Sequence, residues 1–333
     1  MRRTTTTIFA LAGALVLAGA AAASTSNGGI TPQTSGSPNA VGITHSYYVI
    51  AAFTGFIFLL VEGLLIAFVI RFRRRGRPRS AEGPQIHGAT RLELLWTIVP
   101  VLILGVIAGF VFYELPGIKN VPSAKAAGGR LNITVEGHQF YWLFRYPNGA
   151  VSIDTLTVPV GRNVALTVIA PANDVNHSWW IPRLGGKIDA IPGRVNHTWF
   201  RAPKVGTYTG QCAELCGAQH ALMKAEVVAV PQAAYARTTS ALLAQLDTAS
   251  PQLGKAEFQG VCAKCHRLSG PTLIGPTLGG NPLLADKNGL TALVRNGRNQ
   301  MPAVGSTWSD AQIAALVAYT TTLTGGGLAG GQG

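Results

Sequence analysis

Methionine is nearly missing from this chain. Three occur in 333 residues, Met1, Met223 and Met301, although 47% of the residues are hydrophobic. Methionine usually serves as adaptable core filler. A chain this apolar that avoids it elsewhere marks Met223 and Met301 as positions where the thioether itself is wanted. Charge is scarce as well: Asp, Glu, Lys and Arg make up 12% of the chain, and mean hydropathy is +0.27. That is too apolar for a protein held wholly in water, so a membrane part is expected. Acidic residues number 14 against 27 basic ones, a net charge of +13. The excess does not read as nucleic-acid binding. Much of it is one run, Arg71, Arg73, Arg74, Arg75, Arg77 and Arg79, set between two apolar segments. There are no internal repeats, which excludes a solenoid. Cysteine is limited to four residues, none near the N-terminus, which excludes a lipid-modified cysteine there.

The first 23 residues join Arg2 and Arg3 to an apolar stretch and the small residues Ala21-Ala22-Ala23, the pattern of a cleaved secretory signal. Residues 24–115 then read as a membrane hairpin with spans at about 46–70 and 94–113, each long enough for a bilayer core. Tyr47, Tyr48, Trp96 and Tyr113 sit near the ends, as interfacial aromatics do. The arginine run joining the spans belongs in the cytoplasm by the positive-inside bias. Everything after the second span is therefore expected outside a bacterial plasma membrane, as is the N-terminus left by cleavage. Glu62, inside the first span, reads as a neutral carboxyl facing a partner helix. Glu93 opens the second span on the cytoplasmic side.

Residues 116–231 are a succession of short β-rich segments. Leu131, Ile133 and Val135 alternate with polar neighbours, and no long helical period appears from 130 to 230, so an all-β sandwich or barrel is expected. Residues 232–253, rich in Ala, Thr, Ser and Gln, read as a linker with a helical stretch at Ser240–Thr248. Residues 254–324 read as a small helical domain, and residues 325–333 as a disordered tail.

The cysteines form two close pairs, Cys212/Cys216 and Cys262/Cys265. As disulfides they would close loops too short to stabilise the chain much. Each pair is followed by other metal ligands. After Cys216 come His220 and Met223, and His177 is available from an earlier loop. Thiolate, imidazole and thioether together suit copper. A single blue-copper ion needs one Cys, which leaves one surplus. Two thiolates can instead bridge two copper ions, each capped by an imidazole, and share one electron with little change of geometry. The spacing points to a dinuclear electron carrier rather than a catalyst.

The run H-S-W-W-I-P, then K-I-D-A-I-P-G-R and C-A-E-L-C-G-A-Q-H-A-L-M, together with E-L-L-W-T-I-V-P and G-H-Q-F-Y-W, resembles the CuA subunit II of cytochrome c oxidases. The resemblance covers about Ser46 to Val230 and implies a cupredoxin-type β-domain. It implies that Cys212 and Cys216 bridge the coppers, His177 and Met223 complete one, and His220 and the Glu214 carbonyl complete the other. The Glu214 side chain would reach Mg or Mn at the interface with subunit I. Glu93 would lie at the mouth of a proton-uptake channel, and Phe140 and Trp142 would lie on the electron path. At two positions the chain departs from the family. Phe140 stands where a Trp usually accepts electrons from soluble cytochrome c. Arg145 stands where an acidic residue often helps to dock it.

Val261–Arg267, V-C-A-K-C-H-R, carries the attachment signature of c-type haem, with His266 as proximal ligand. A zinc site would want two further Cys or His residues, and none follows. Met301-Pro302 supplies a thioether before the last helix, as an electron carrier of raised potential would use. With G-P-T-L-G-G between them, the segment resembles a small class I cytochrome c.

Together these features resemble subunit II of caa-type cytochrome c oxidases, which implies subunit I, a third subunit and an external donor, a cytochrome c or cytochrome bc complex, as partners. Electrons would pass from haem c (Cys262, Cys265, His266, Met301) to CuA and on to subunit I, where dioxygen reduction and proton translocation would occur. The alternatives are the CuA subunit of a nitric oxide reductase and, in another class, a copper-insertion chaperone of thioredoxin-like fold with a single anchor helix.

Overall fold

A computed structural model describes residues 31–73, 83, 85–123 and 129–325. The expected signal segment and all but the first residue of the expected tail lie outside these. Two helices open the described chain, α1 (Pro38–Phe72) and α2 (Thr90–Lys119), and they pack against each other. Both are longer than the spans read from hydropathy. Pro38 stands at the start of α1, where its missing N–H costs nothing. No residue of α2 is buried in this chain, and it is long and apolar enough to cross a membrane. The start of α1 is tied to the β-domain. Asn39 donates to the Trp199 carbonyl at 2.5 Å, the Arg201 N–H donates to Ser37 at 3.0 Å, and the Gly36 N–H donates to Arg183 O at 2.6 Å.

The β-domain has ten strands: β1 (Arg130–His138), β2 (Tyr141–Arg145), β3 (Val151–Ile153), β4 (Thr155–Pro159), β5 (Asn163–Ile169), β6 (His177–Trp180), β7 (Ile188–Ala190), β8 (Asn196–Phe200), β9 (Gly206–Cys212) and β10 (Lys224–Val230). They form two five-stranded sheets, ordered β3-β2-β1-β5-β8 and β4-β10-β9-β6-β7. β1 runs parallel to β5 and β10 parallel to β4; the remaining pairs are antiparallel. The period of two sends Leu131, Ile133 and Val135 inward, to meet Trp142, Phe144, Leu166 and Trp179 between the sheets.

β2 breaks the usual rule of one wet face. Trp142 and Phe144 fill the β-core, while Tyr141 and Leu143, on the opposite face, are equally buried in a second core made with the C-terminal helices. The stretch read as a linker carries helix α3 (Gln232–Asp247), which packs on the β-domain through Tyr235, Thr239, Leu242 and Leu243. The spacing of those four residues is that of one helical stripe.

Three helices then follow: α4 (Pro251–Gly260), α5 (Lys287–Asn296) and α6 (Asp310–Gly325). Ser250 caps α4 by accepting from the Leu253 N–H, and Asp286 caps α5 by accepting from the N–H groups of Asn288 and Gly289. α4 and α6 cross at Gly254, where an added Cβ would lie 1.9 Å from the Ala315 carbonyl oxygen, so the crossing admits only glycine.

Glu257 is fully buried beneath this crossing. It accepts from Gln312 at 3.3 Å, and its second oxygen has no partner among the described residues. Burial pushes its carboxyl from 4.5 up to about 9, so it is neutral at pH 7. A carboxyl raised on folding is lost to the unfolded state as pH climbs, so stability should fall between pH 4.5 and about 9. Glu257→Gln should remove that fall, leaving a helical domain whose thermal midpoint is higher than the parent's at pH 8. Calorimetry across pH checks it.

Candidate copper and haem sites

His177 begins β6, Cys212 ends β9, and Met223 stands just before β10, so the sheet carries three of the ligand candidates to one edge. Cross-strand pairing sets the register: Trp179 lies opposite Cys212, and the Cys212 N–H donates to Met223 O at 2.9 Å. Cys216 and His220 come from the loop between β9 and β10, His220 within a short helical turn. The Cys212 and Cys216 sulfurs are 4.0 Å apart. Cys212 Sγ is 3.9 Å from His177 Nδ1 and 3.2 Å from Glu214 O. Cys216 Sγ is 3.5 Å from His220 Nδ1 and 3.9 Å from Met223 Sδ. The two cysteines, His177 and Met223 are buried.

These atoms form a donor set of two sulfurs, two imidazoles, a thioether and a carbonyl. Hydrogen bonding from Cys216 lowers Cys212 toward its thiolate, and the same contact pushes Cys216 up. The pair holds one negative charge readily and resists a second, and that resistance is what a bound cation relieves. Asp174 Oδ1 lies 3.0 Å from His177 Nε2 and leaves Nδ1 aimed at Cys212. Trp142 stands edge-on to His177 with ring centres 6.1 Å apart. The residues present fit a dinuclear copper.

The Glu214 carboxylate is half-exposed, and Lys187 Nζ lies 3.3 Å from it and 3.1 Å from Asp189. Glu93 is not brought to the copper ligands. It sits in the first turn of α2, where it accepts from the Ala89 N–H at 3.0 Å. The helix from it to Lys119 is roughly 40 Å long at 1.5 Å per residue.

In the helical domain a cavity of about 760 Å³ is lined by Cys262, Cys265, His266 and Met301 among apolar side chains. His266 Nδ1 lies 2.8 Å from the Pro276 carbonyl, which fixes the ring and leaves Nε2 free to ligate. A Cβ on Gly275 would come within 2.3 Å of the His266 ring, so glycine is required there. Burial pushes the Cys262 thiol up to about 12 and raises Cys265 as well. Neither thiol is a ready thiolate for a metal, which separates this pair from Cys212/Cys216. The residues present fit a c-type haem, which Cys262, Cys265, His266 and Met301 would hold as a one-electron carrier.

Gln139, Phe140 and Ala218 of the β-domain complete the wall of this cavity. The two sites therefore share a boundary. Lys264, between Cys262 and Cys265, ion-pairs with Asp154 and donates to the Phe140 carbonyl at 2.9 Å. Gln219, beside His220, donates to the Lys264 carbonyl at 2.8 Å. The Tyr141 hydroxyl donates to Val304 O and accepts from Trp308 Nε1 at 2.9 Å. Arg145 ion-pairs with Glu136 and donates to Thr307 O, while the Thr307 hydroxyl donates to Glu136 at 2.8 Å. Both departures from the family pattern, Phe140 and Arg145, thus lie beneath the helical domain. Glu136, Asp154, Gln219, Lys264 and Thr307 had carried no signal in the sequence, since each is an ordinary polar residue until its partner is known.

Comparisons with known proteins find three family matches along the chain. Residues 25–113 match the family described as cytochrome c oxidase subunit II, transmembrane domain, and residues 150–230 match its periplasmic domain. Residues 249–319 match the family described as cytochrome c oxidase, cbb3-type, subunit III. A cytochrome c oxidase subunit 2 of Alkalihalophilus pseudofirmus is 34% identical over 285 residues, 78% of this chain and 81% of that protein. A probable cytochrome c oxidase subunit 2 of Rickettsia bellii is 35% identical over 50% of this chain and 66% of its own length. The crystal structure of the periplasmic domain of subunit II of the Bradyrhizobium japonicum cytochrome oxidase is 33% identical. It covers 36% of this chain and 96% of that one, with a TM-score of 0.34.

Burial raises the Glu136 carboxyl, but hydrogen bonds from His138 and Arg145, with the Arg145 charge, outweigh it and hold it at about 2. A carboxyl lowered on folding contributes stability above its unfolded value of 4.5, and that contribution is lost as pH falls toward 2. Arg145→Ala removes the charge partner of Glu136 and the bond to Thr307 O, and should destabilise the contact between the β-domain and the helical domain by about 1.5–3 kcal/mol. Protease cleavage between Asp247 and Pro251, followed against pH, checks it. The variant should become sensitive at a pH where the parent chain is still protected.

Proposed function

The chain belongs to the cytochrome c oxidase subunit II family, and from that premise we propose that it is the electron-input subunit of a caa-type haem–copper oxidase. It is one subunit of an oxidoreductase complex; dioxygen reduction and proton translocation are assigned to subunit I. Haem c and CuA would each supply a one-electron carrier. Cys262, Cys265, His266 and Met301 hold the first. Cys212, Cys216, His177, His220, Met223 and the Glu214 carbonyl hold the second. The hairpin anchors the chain in a bacterial plasma membrane with both cofactor domains outside, after removal of residues 1–23.

The observation that carries this reading is the shared wall. Phe140 lines the haem cavity and also touches the copper loop, since a Cβ on Gly217 would lie 3.0 Å from its ring. An external cytochrome c cannot dock at that position, because the chain's own helical domain covers it. The donor, a cytochrome c or a cytochrome bc complex, therefore gives its electron to haem c. A tethered and docked donor needs no diffusional encounter, so Trp at 140 and an acid at 145 are dispensable. The chaperone alternative predicts one anchor helix and a thioredoxin-like fold, and neither is present among the described residues.

In this reading Glu214 reaches Mg or Mn at the contact with subunit I. Lys187 occupies one of its two carboxylate oxygens, at 3.3 Å, and leaves the other for the cation. Glu93, at the opposite end of α2, is assigned to proton uptake.

Metal and haem analysis with low-temperature paramagnetic resonance on the full chain in its membrane complex tests the assignment. Two coppers sharing one unpaired electron, with hyperfine splitting from both nuclei, and one covalent haem are expected. One copper with an ordinary spectrum, or a Cys212–Cys216 disulfide, overturns it. Met301→Ala should abolish the sulfur-to-iron absorption band while leaving the copper signal unchanged.

A further inference from the structure

Two amide side chains touch the copper loop from within the contact between the domains, and they differ in what they join. Gln139 donates to the Cys216 carbonyl at 2.6 Å and reaches the haem cavity only by packing against it. Gln219 is bonded on both sides. Its amide donates to the Lys264 carbonyl at 2.8 Å, which belongs to the peptide leading into Cys265. Its own backbone leads directly into His220, whose Nδ1 is 3.5 Å from Cys216 Sγ. Gln219 is buried at 8% exposure, which shields the amide from most of the solvent. Lys264 is itself fixed by Asp154 and the Phe140 carbonyl, which holds the acceptor still.

Electronic coupling decays far more slowly along covalent and hydrogen bonds than across a packed gap of equal length. We infer that Gln219 is the bridge for electron transfer from the haem-attachment loop to the copper ligand His220. The step moves one electron, oxidising the haem iron by one and reducing the copper pair by one. No bond forms or breaks, and no proton is carried. The inference rests on the functional reading above, since it presumes both groups in place. Gln219 touches neither reacting centre and acts through Lys264 and His220, as a positioning and coupling residue.

The test is flash reduction of the haem by a ruthenium photoreductant in the loaded oxidase, following haem reoxidation and copper absorbance together. Gln219→Leu removes the donor, and Gln219→Asn keeps an amide too short to reach Lys264. The second variant carries the test if the first fails to load copper. Both should slow haem reoxidation about tenfold. The copper resonance spectrum and haem potential should be unchanged, and the rate should not depend on solvent viscosity. Rates within about twofold of the parent overturn the bridge. So does a slowed rate that falls with viscosity or comes with an altered copper spectrum, because Gln219 would then be holding the domains or the metal site. If haem reoxidation in the parent is not matched by copper reduction, the functional reading itself fails, and the bridge fails with it.

Discussion

The structure depends on one strand being buried on both faces. β2 gives Trp142 and Phe144 to the β-core and Tyr141 and Leu143 to the core of the helical domain. An antiparallel sheet normally leaves one face to water. Here that face is covered by the chain's own C-terminal helices, so two cofactor domains meet across one strand. Exposing Tyr141 and Leu143 would return large apolar side chains to water, at a cost of about 1.5–3 kcal/mol for a residue of Leu size. The polar ties around them, Arg145–Glu136–Thr307 and Lys264–Asp154, add direction to that apolar contact. Because Gln139 and Phe140 directly precede β2, the strand that joins the cores also brings the haem cavity to the copper loop.

The two cysteine pairs show how surroundings divide identical side chains into different chemistries. Cys212 and Cys216 face each other among imidazole and thioether groups, where one thiolate is favoured and the second waits for a cation. Cys262 and Cys265 sit in an apolar cavity that raises both thiols. The first pair suits a soft metal, and the second offers no ready thiolate. The Asp174–His177 and His266–Pro276 contacts orient one imidazole at each site.

Much of this was legible in residue spacing. Alternation at Leu131, Ile133 and Val135 announced the β-domain, and the apolar runs announced the hairpin. Cys212, Cys216, His220 and Met223 are close enough in sequence to be read as one ligand set, and C-x-x-C-H identifies its own ligand. What could not be read was contact between domains. Tyr141-Trp142-Leu143-Phe144 is an unbroken apolar run, and periodicity cannot say what covers its second face. Residues 232–247 look like a linker by composition, because the stripe of Tyr235, Thr239, Leu242 and Leu243 is diluted by Ala, Thr and Gln. Arg145 looked like a loss of docking charge; its meaning is fixed only by Glu136 and Thr307, the latter 162 residues away.

The central claim is that the haem and copper sites are held at one fixed separation by the chain itself. The most direct measurement is the distance between their unpaired electrons, by pulsed dipolar resonance or relaxation enhancement on the oxidised, fully loaded protein in frozen solution. The account predicts a single narrow distance, unaffected by glycerol or freezing rate. A broad distribution, or a distance that shifts with those conditions, would mean that the helical domain swings on its connection and would contradict it.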